Sequence, residues 1–312
     1  MLPTLRQLQY LKLLAEHKSF MAAAEAAYVS QPALSSGIAE LEKILGARLV
    51  DRSRGQVILT PVGEETLKRA EEILARAEDL VEAAHGAGRP LSGRFRLGVI
   101  PTIAPFLLPR ALLRLRQTYP DLRLFLREDQ TARLIGALRS GALDAAVIAL
   151  PWDLNGLDHA FVMRDEILAA TPSGHPLAQA DSIAPEALKN EEMILLEDGH
   201  CLRDHALAAC SWTAPGGTQE SLATYAARPD SLGGGFAATS LNTLVQMVGS
   251  GLGVSLLPAM AVEAGLAREG EVCVRPLASD HAFRDIAVVW RAGSSHAAEA
   301  RLLADQFKAD AA

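Results

Sequence analysis

Apolar residues recur at helical spacing from the start of the chain. Leu5, Leu8, Leu11 and Leu14 fall on one stripe, so residues 4–16 read as an amphipathic helix. Ser19 is a suitable N-cap for an Ala-rich helix from Phe20 to Ala27. After the turn Tyr28-Val29, Ser30 caps a third helix with Pro32 near its first turn, where a missing N–H costs nothing. Leu34, Ile38, Leu41 and Leu45 share one face of that helix, and Gly46 ends it. Two short helices joined by a tight turn make a helix-turn-helix. Leu49-Val50 and Val57-Ile58-Leu59 then flank Arg52-Ser53-Arg54-Gly55 and predict a small hairpin, a wing.

From Pro61 to His85 the pattern is helical again. Leu67, Ala70, Leu74, Ala77, Val81 and Ala84 alternate at three and four residues, an a/d seam widened by Ile73 and Leu80. The seam predicts pairing with a second copy in preference to packing on the chain's own body. Gly86-Ala87-Gly88-Arg89-Pro90 breaks the helix. Beyond it, strands and helices alternate: a strand over Arg94 to Ile100, a helix with Leu107, Leu108, Leu112 and Leu115, a strand over Leu122 to Leu126, a helix from Thr131 to Ser140, and an apolar strand from Leu143 to Leu150. After Asp165 the pattern restarts, with strands at 167–170, 193–196 and 254–257, a helix from Ser240 to Gly249, a late strand from Ile286 to Trp290 and a closing helix through Leu302-Leu303. Such alternation predicts βαβ units and a largely parallel sheet.

The resulting organisation is an all-α winged helix-turn-helix domain (1–60), a dimerisation linker helix (61–86), a hinge (87–93) and an α/β two-lobed domain (94–312). Lobe I covers about 94–166 and 275–312, and lobe II about 167–274. A cleft between such lobes is lined by the C-terminal ends of strands.

Composition narrows the class. Of 312 residues, 49% are hydrophobic and 21% charged, which excludes disordered and fibrous chains. No apolar run approaches the roughly 18 residues of a membrane span, and the N-terminus lacks the layout of a secretory signal. The expectation is a cytoplasmic protein with no membrane contact, and a transport-type binding protein is set aside on the same ground. Three cysteines are too few for a disulfide scaffold. Net charge is −7, yet residues 1–63 carry seven Lys/Arg against five Asp/Glu, so the head is +2 and the rest −9. A mildly basic head on an acidic body hints that the head meets something anionic, and random scatter of surface charges explains the number nearly as well. No metal site or cofactor motif is present in the sequence.

The head's chemistry suits DNA. A recognition helix presents its first residues to base edges, here Ser30, Gln31, Pro32, Ala33, Ser35 and Ser36. Gln pairs bidentately with adenine, Ser reaches bases or phosphates, and Ala suits a thymine methyl. Arg52 and Arg54 on the wing can hold phosphate or enter the minor groove. Spacing alone would fit any small all-α subdomain equally well. The residues themselves say more: Ser30-Gln31-Pro32-Ala33-Leu34-Ser35, then Ile38, Leu41-Glu42, Leu45-Gly46, Leu49, Arg52 and Leu59-Thr60 resemble the LysR-type bacterial transcriptional regulators over the whole head. The resemblance implies binding to double-stranded DNA at two-fold-related half-sites and a regulatory domain built like type-2 periplasmic binding proteins. It also implies a homotetramer, a dimer of dimers, with RNA polymerase as a further partner. Val50 stands where that family usually has Phe.

The remaining candidate chemistry lies in Glu197-Asp198-Gly199-His200-Cys201-Leu202-Arg203-Asp204-His205, with Cys210 following. Asp198-Gly199 turns the chain from a strand into a helix, so Cys201 falls in or near the first helical turn beside His200. A helix N-terminus and a partly protonated imidazole both favour thiolate. On one straight helix, nine residues would put Cys201 and Cys210 on opposite faces, roughly 13.5 Å apart along the axis, whereas a disulfide needs Cα atoms about 4.4–6.8 Å apart. The pair can bond only if the segment between them changes fold. Two small buried hydrophobes fit the same residues.

The string Leu196 to Asp204 with Cys210, together with Ile100-Pro101-Thr102 and Ala238-Thr239-Ser240-Leu241, is similar to the peroxide-sensing branch of the LysR-type family. That resemblance implies hydrogen peroxide as the signal, Cys201 as the peroxidatic thiol and Cys210 as the resolving one. It also implies a peroxide pocket of Thr102, Thr131, His200, Asp204 and Arg284, with Arg275 and Arg291 as neighbouring alternatives to the last. Two departures stand out: a Gly/Ser/Ala-rich stretch, Ser211 to Gly235, read as an enlarged surface loop, and Ala237 where that branch tends toward Arg. Cys273 reads as structural, and His205 as a solvated helix residue. The rival readings are a regulator sensing a small organic anion and, outside the class, a thiol peroxidase. The expectation is a regulator, not an enzyme.

Overall fold

A computed structural model of the chain describes residues 2–51, 57–85, 90–197, 202–203, 205, 209–210, 212–213, 219–220, 237–267 and 270–311. The chain divides into two compact units. One is Met1–Arg89 with Gly136–Leu143 and Gly293–Ser295; the other is Pro90–Ile135, Asp144–Ala292 and His296–Ala312.

In the first unit, α1 (Leu5–His17), α2 (Phe20–Ala26) and α3 (Gln31–Leu45) are followed by β1 (Val50–Asp51), β2 (Ile58–Leu59) and the long α4 (Pro61–His85). Each start is set locally. The Thr4 hydroxyl accepts from Gln7 N while the Gln7 side chain accepts from Thr4 N, a capping box. Ser19 and Ser30 accept from Ala22 N and Ala33 N. Gly46 ends α3 at φ +67°, a left-handed conformation that glycine adopts without strain. β1 and β2 pair antiparallel, Val50 opposite Leu59, and the Glu42 carboxylate ties them to α3 by accepting from Leu49 N (2.7 Å) and Val50 N (3.2 Å).

Leu8, Leu11 and Leu14 close one core with Ala23, Leu34, Ile38, Leu41 and Leu49. Ala70 and Leu74 of α4 belong to that same core, and Leu67 packs against it. The first half of the expected pairing seam is therefore used by the head itself, because α4 crosses α1. Ile73, Leu80 and Val81 remain 49%, 74% and 56% exposed.

The second unit runs β3 (Gly93–Val99), α5 (Ala104–Thr118), β4 (Leu122–Glu128), α6 (Thr131–Arg139), β5 (Ala145–Leu150) and β6 (Leu157–Pro172). It continues with β7 (Leu195–Leu196), β8 (Trp212–Thr213), β9 (Gln219–Glu220), β10 (Ala237–Ala238), α7 (Leu241–Gly249), β11 (Ser255–Pro258), α8 (Ala259–Glu263), β12 (Val272–Pro276), β13 (Phe283–Arg291) and α9 (Ala297–Ala311). The main sheet has the order β11-β6-β13-β5-β3-β4, with β12 also on β6. It is mixed, a correction to the expected largely parallel sheet. Only β3 pairs in parallel, with β4 and β5; β13 runs antiparallel to β5 and β6, and β11 and β12 antiparallel to β6. The strands that carry the chain between lobes must run out and back, and that reverses their direction.

The restart expected at Ile167 is the second half of one 16-residue strand, β6. Its residues up to Glu166 pair with β13, and those from Ile167 onward pair with β11 and β12. Beyond that point a second core gathers Ile167, Ile183, Leu188, Ile194, Leu202, Cys210, Leu244, Val248 and Leu256. Within the stretch expected as a loop, β8 and β9 form a two-residue antiparallel pairing; its other residues lie outside the described ones, apart from this hairpin. No described helix is long and apolar enough to cross a membrane.

Gly63, in the first turn of α4, has room for no side chain: a Cβ there would stand 2.1 Å from the Leu49 carbonyl oxygen. Gly63→Ala must push α4 off the wing, a loss of about 1–3 kcal/mol. Denaturant unfolding of the full chain should show a lower midpoint for the head, and DNA binding should weaken with it. An unchanged midpoint would show that the backbone here gives way freely.

Candidate functional site

Thr102 lies three residues past the end of β3, and Thr131 three past the end of β4. These strands are parallel neighbours, with Val99 opposite Glu128, so both threonines sit at the C-terminal edge of the sheet where α5 and α6 begin. That edge is the usual place for a ligand in an open α/β sheet, and the N-termini of α5 and α6 add positive potential to it. Both side chains are buried, Thr102 at 3% and Thr131 at 1% exposure.

Arg284, near the start of β13, reaches the first threonine. Its Nη1 donates to Thr102 Oγ1 (2.8 Å) and its Nη2 to Thr102 O (3.0 Å). The guanidinium has no solvent exposure, so its charge must be answered inside the protein. Asp165, its register partner on β6, does so: Nε and Nη2 lie 2.9 and 2.8 Å from Asp165 Oδ2. The other carboxylate oxygen accepts from Met260 N (3.0 Å), and Met260 Sδ lies 3.5 Å from Arg284 Nη2. Arg275, the first alternative, is committed to the carbonyls of Ala180 and Val274.

Three donor positions remain at this site. Arg284 Nη1 carries a second hydrogen that no described acceptor takes. The Thr102 hydroxyl, having accepted from Arg284, still has its own proton to give. Thr131 Oγ1 is buried with no hydrogen-bond partner among the described residues, a loss of about 1–3 kcal/mol unless something binds there. The ion pair cancels its own charge, so among the described residues the site offers polar hydrogen atoms and no unpaired cationic side chain.

His200, Cys201 and Asp204 lie outside the described residues, and so do Arg52 and Arg54 of the wing. Around them the cysteine segment is described in part. Leu202, Arg203, His205 and Ala209 are helical. Leu202, Ala209 and Cys210 are buried in the second core. His205 is buried, not solvated as its sequence position suggests, and its Nε2 meets Leu150 O at 2.7 Å. Ser279 Oγ donates to Ala209 O (3.0 Å). Burial, and then the negative charge of Glu186, push the Cys210 thiol up to about 12, so in this conformation it is a protonated core side chain. Cys273 is half-buried and its Sγ faces Ala178 O at 3.6 Å. No group of three potential metal ligands occurs among the described residues.

In the head, Ser30, Gln31, Pro32, Ala33 and Ser36 are exposed at the start of α3, and Ser35 is half-buried. They form a continuous polar and small-residue surface on the helix end that carries the positive dipole.

Two participants escape sequence reasoning. Asp165 sits in a strand where a lone carboxylate reads as an outward residue. Its position opposite Arg284 depends on a pairing 119 residues apart in sequence. His205 carries no local signal that distinguishes it from an exposed helix residue.

Residues 5–64 match the bacterial regulatory helix-turn-helix family of lysR type, and residues 88–312 match the LysR substrate binding domain. A probable hydrogen peroxide-inducible genes activator of Streptomyces viridosporus is 38% identical over 302 residues, covering 97% of this chain and 92% of that one. Among solved structures, a full-length OxyR variant from Pseudomonas aeruginosa is 34% identical with a TM-score of 0.76, over 99% of this chain and 95% of that one. A hydrogen peroxide-bound OxyR mutant from Corynebacterium glutamicum is also 34% identical, with a TM-score of 0.63, over 99% and 92% of the two chains. The match spans both the head and the regulatory domain, and the chain belongs to the LysR family of bacterial transcriptional regulators.

Proposed function

We propose that this regulator senses hydrogen peroxide and that an intramolecular disulfide between Cys201 and Cys210 switches its DNA-bound form. The observation that carries the reading is the charge balance at Thr102, Thr131 and Arg284. A buried guanidinium neutralised by Asp165 offers hydrogen bonds without a net charge. An organic anion would find no unpaired cationic side chain among the described residues there, only the weaker pull of two helix N-termini; a small neutral molecule that both donates and accepts needs neither. The names of the similar proteins agree with this choice.

The chemistry follows in two balanced steps. The Cys201 thiolate attacks one peroxide oxygen, the O–O bond breaks, and hydroxide leaves as Cys201 becomes a sulfenic acid. In this reading Arg284 and the threonine hydroxyls hold the peroxide and stabilise the negative charge on the departing oxygen. The Cys210 sulfur then attacks the Cys201 sulfur, and water is lost as the disulfide forms. For that step Cys210 must leave the core, and the bonds of His205 to Leu150 O and of Ser279 to Ala209 O must yield. The signal is thereby converted into a change of fold. One oxidation per signal, reset by a separate reductant, separates such a sensor from a thiol peroxidase. Pairing of two chains through the exposed part of α4 would set two recognition helices on two-fold-related half-sites of double-stranded DNA.

Two outcomes are expected. Cys201→Ser should bind DNA as the reduced protein does, with a footprint that no longer changes on adding peroxide; a footprint that still shifts would remove Cys201 from the switch. In native reduced protein, iodoacetamide at pH 7 should leave Cys210 unmodified, since a thiol pushed up to about 12 is thiolate in only about one molecule in 100,000. Denaturant should make it react. Fast native labelling of Cys210 would mean that the segment is already open before oxidation.

A further inference from the structure

Asp165 lies on β6 where that strand changes partners, paired with β13 through Glu166 and with β11 and β12 from Ile167. It is 1% exposed and uses both oxygens: Oδ2 for Arg284 Nε and Nη2, Oδ1 for Met260 N. This leaves the Arg284 guanidinium one orientation. Its Nε edge faces Asp165, and its Nη1 end is carried to Thr102 Oγ1 at 2.8 Å. From this geometry we infer that Asp165 is the positioning and specificity-determining residue of the site, aiming Arg284 at the bound peroxide and cancelling its charge so that anions are refused. The inference rests on the peroxide reading of Thr102, Thr131 and Arg284.

Two consequences of removing the carboxylate differ in kind. An unanchored guanidinium swings away from Thr102, and misplacement by about 1 Å of a group acting on a reacting centre slows chemistry about 100-fold. A guanidinium without its counter-ion is also a buried cation, which attracts small anions that the neutral pair does not hold. A residue that only stabilised the fold would produce the first effect as a general loss and would not produce the second.

The test uses the full-length reduced protein and follows Cys201–Cys210 disulfide formation by stopped-flow and mass spectrometry. Asp165→Asn, Arg284→Gln and the combined Asp165→Asn/Arg284→Gln variants are compared, with hydrogen peroxide and, separately, diamide as oxidant and with sulfate added as the anion probe. Asp165→Asn is expected to react with peroxide about 100-fold more slowly, to keep its diamide rate, and to be slowed further by sulfate, which leaves the parent protein unaffected. The combined variant should be no slower than Arg284→Gln alone, because Asp165 acts through Arg284.

Should Asp165→Asn fail to fold, Asp165→Glu keeps the charge and shifts the guanidinium by one methylene. It should then be slow with peroxide and indifferent to sulfate. Parent rates with peroxide for Asp165→Asn, or for Asp165→Glu if that variant is used, beside a slow Arg284→Gln, would overturn the role of Asp165 and leave the peroxide site standing. Equal rates for Arg284→Gln and the parent would remove the peroxide site itself, and the inference with it.

Discussion

A guanidinium fully removed from water has to be answered by a carboxylate, and in this chain the answer comes across a single rung between β6 and β13, Asp165 opposite Arg284. Those two strands are also the ones that carry the chain from one lobe to the other. The ion pair therefore joins the framework to the site: it lies where β6 hands its pairing from β13 to β11 and β12, and its far end holds Thr102. Replacing one partner alone would leave a buried charge, an error of about 3–5 kcal/mol. Under the proposed reading the same pair would also bear on what the site accepts, because Asp165 neutralises the Arg284 guanidinium.

The second constraint is the burial of Cys210. The Cys210 thiol lies inside the core beside Leu202 and Ala209, so under the proposed switch the cost of exposing it would separate resting from oxidised protein. Among the described residues, the segment's fastenings include the packing of Leu202, the Arg203 contact to Leu196 O, the His205 contact to Leu150 O and the Ser279 hydroxyl on Ala209 O.

What could be read directly from the sequence follows the range of the interactions involved. α1, α2 and α3 were legible almost to the residue, because Thr4, Ser19, Ser30 and Gly46 act on their own neighbours. Thr102 and Arg284 are joined by a hydrogen bond across 182 residues of sequence. The direction of the strands was not legible, since β13 finds β5 and β6 from more than a hundred residues away. The continuity of β6 was hidden by the change in its partners at Glu166 and Ile167. Asp165 and His205 were missed or misread for one reason: each has an ordinary local context and a distant partner. The seam on α4 is divided: Ala70 and Leu74 enter the head's own core, while Leu80 and Val81 stay exposed.

Peptide mapping under non-reducing conditions tests most directly whether peroxide closes a bond between Cys201 and Cys210. Reduced protein treated with about one equivalent of hydrogen peroxide should yield a linked peptide pair containing Cys201 and Cys210, formed by way of sulfenic acid, with Cys273 still free. Thiols untouched at that dose, or a linkage that recruits Cys273, would contradict the account.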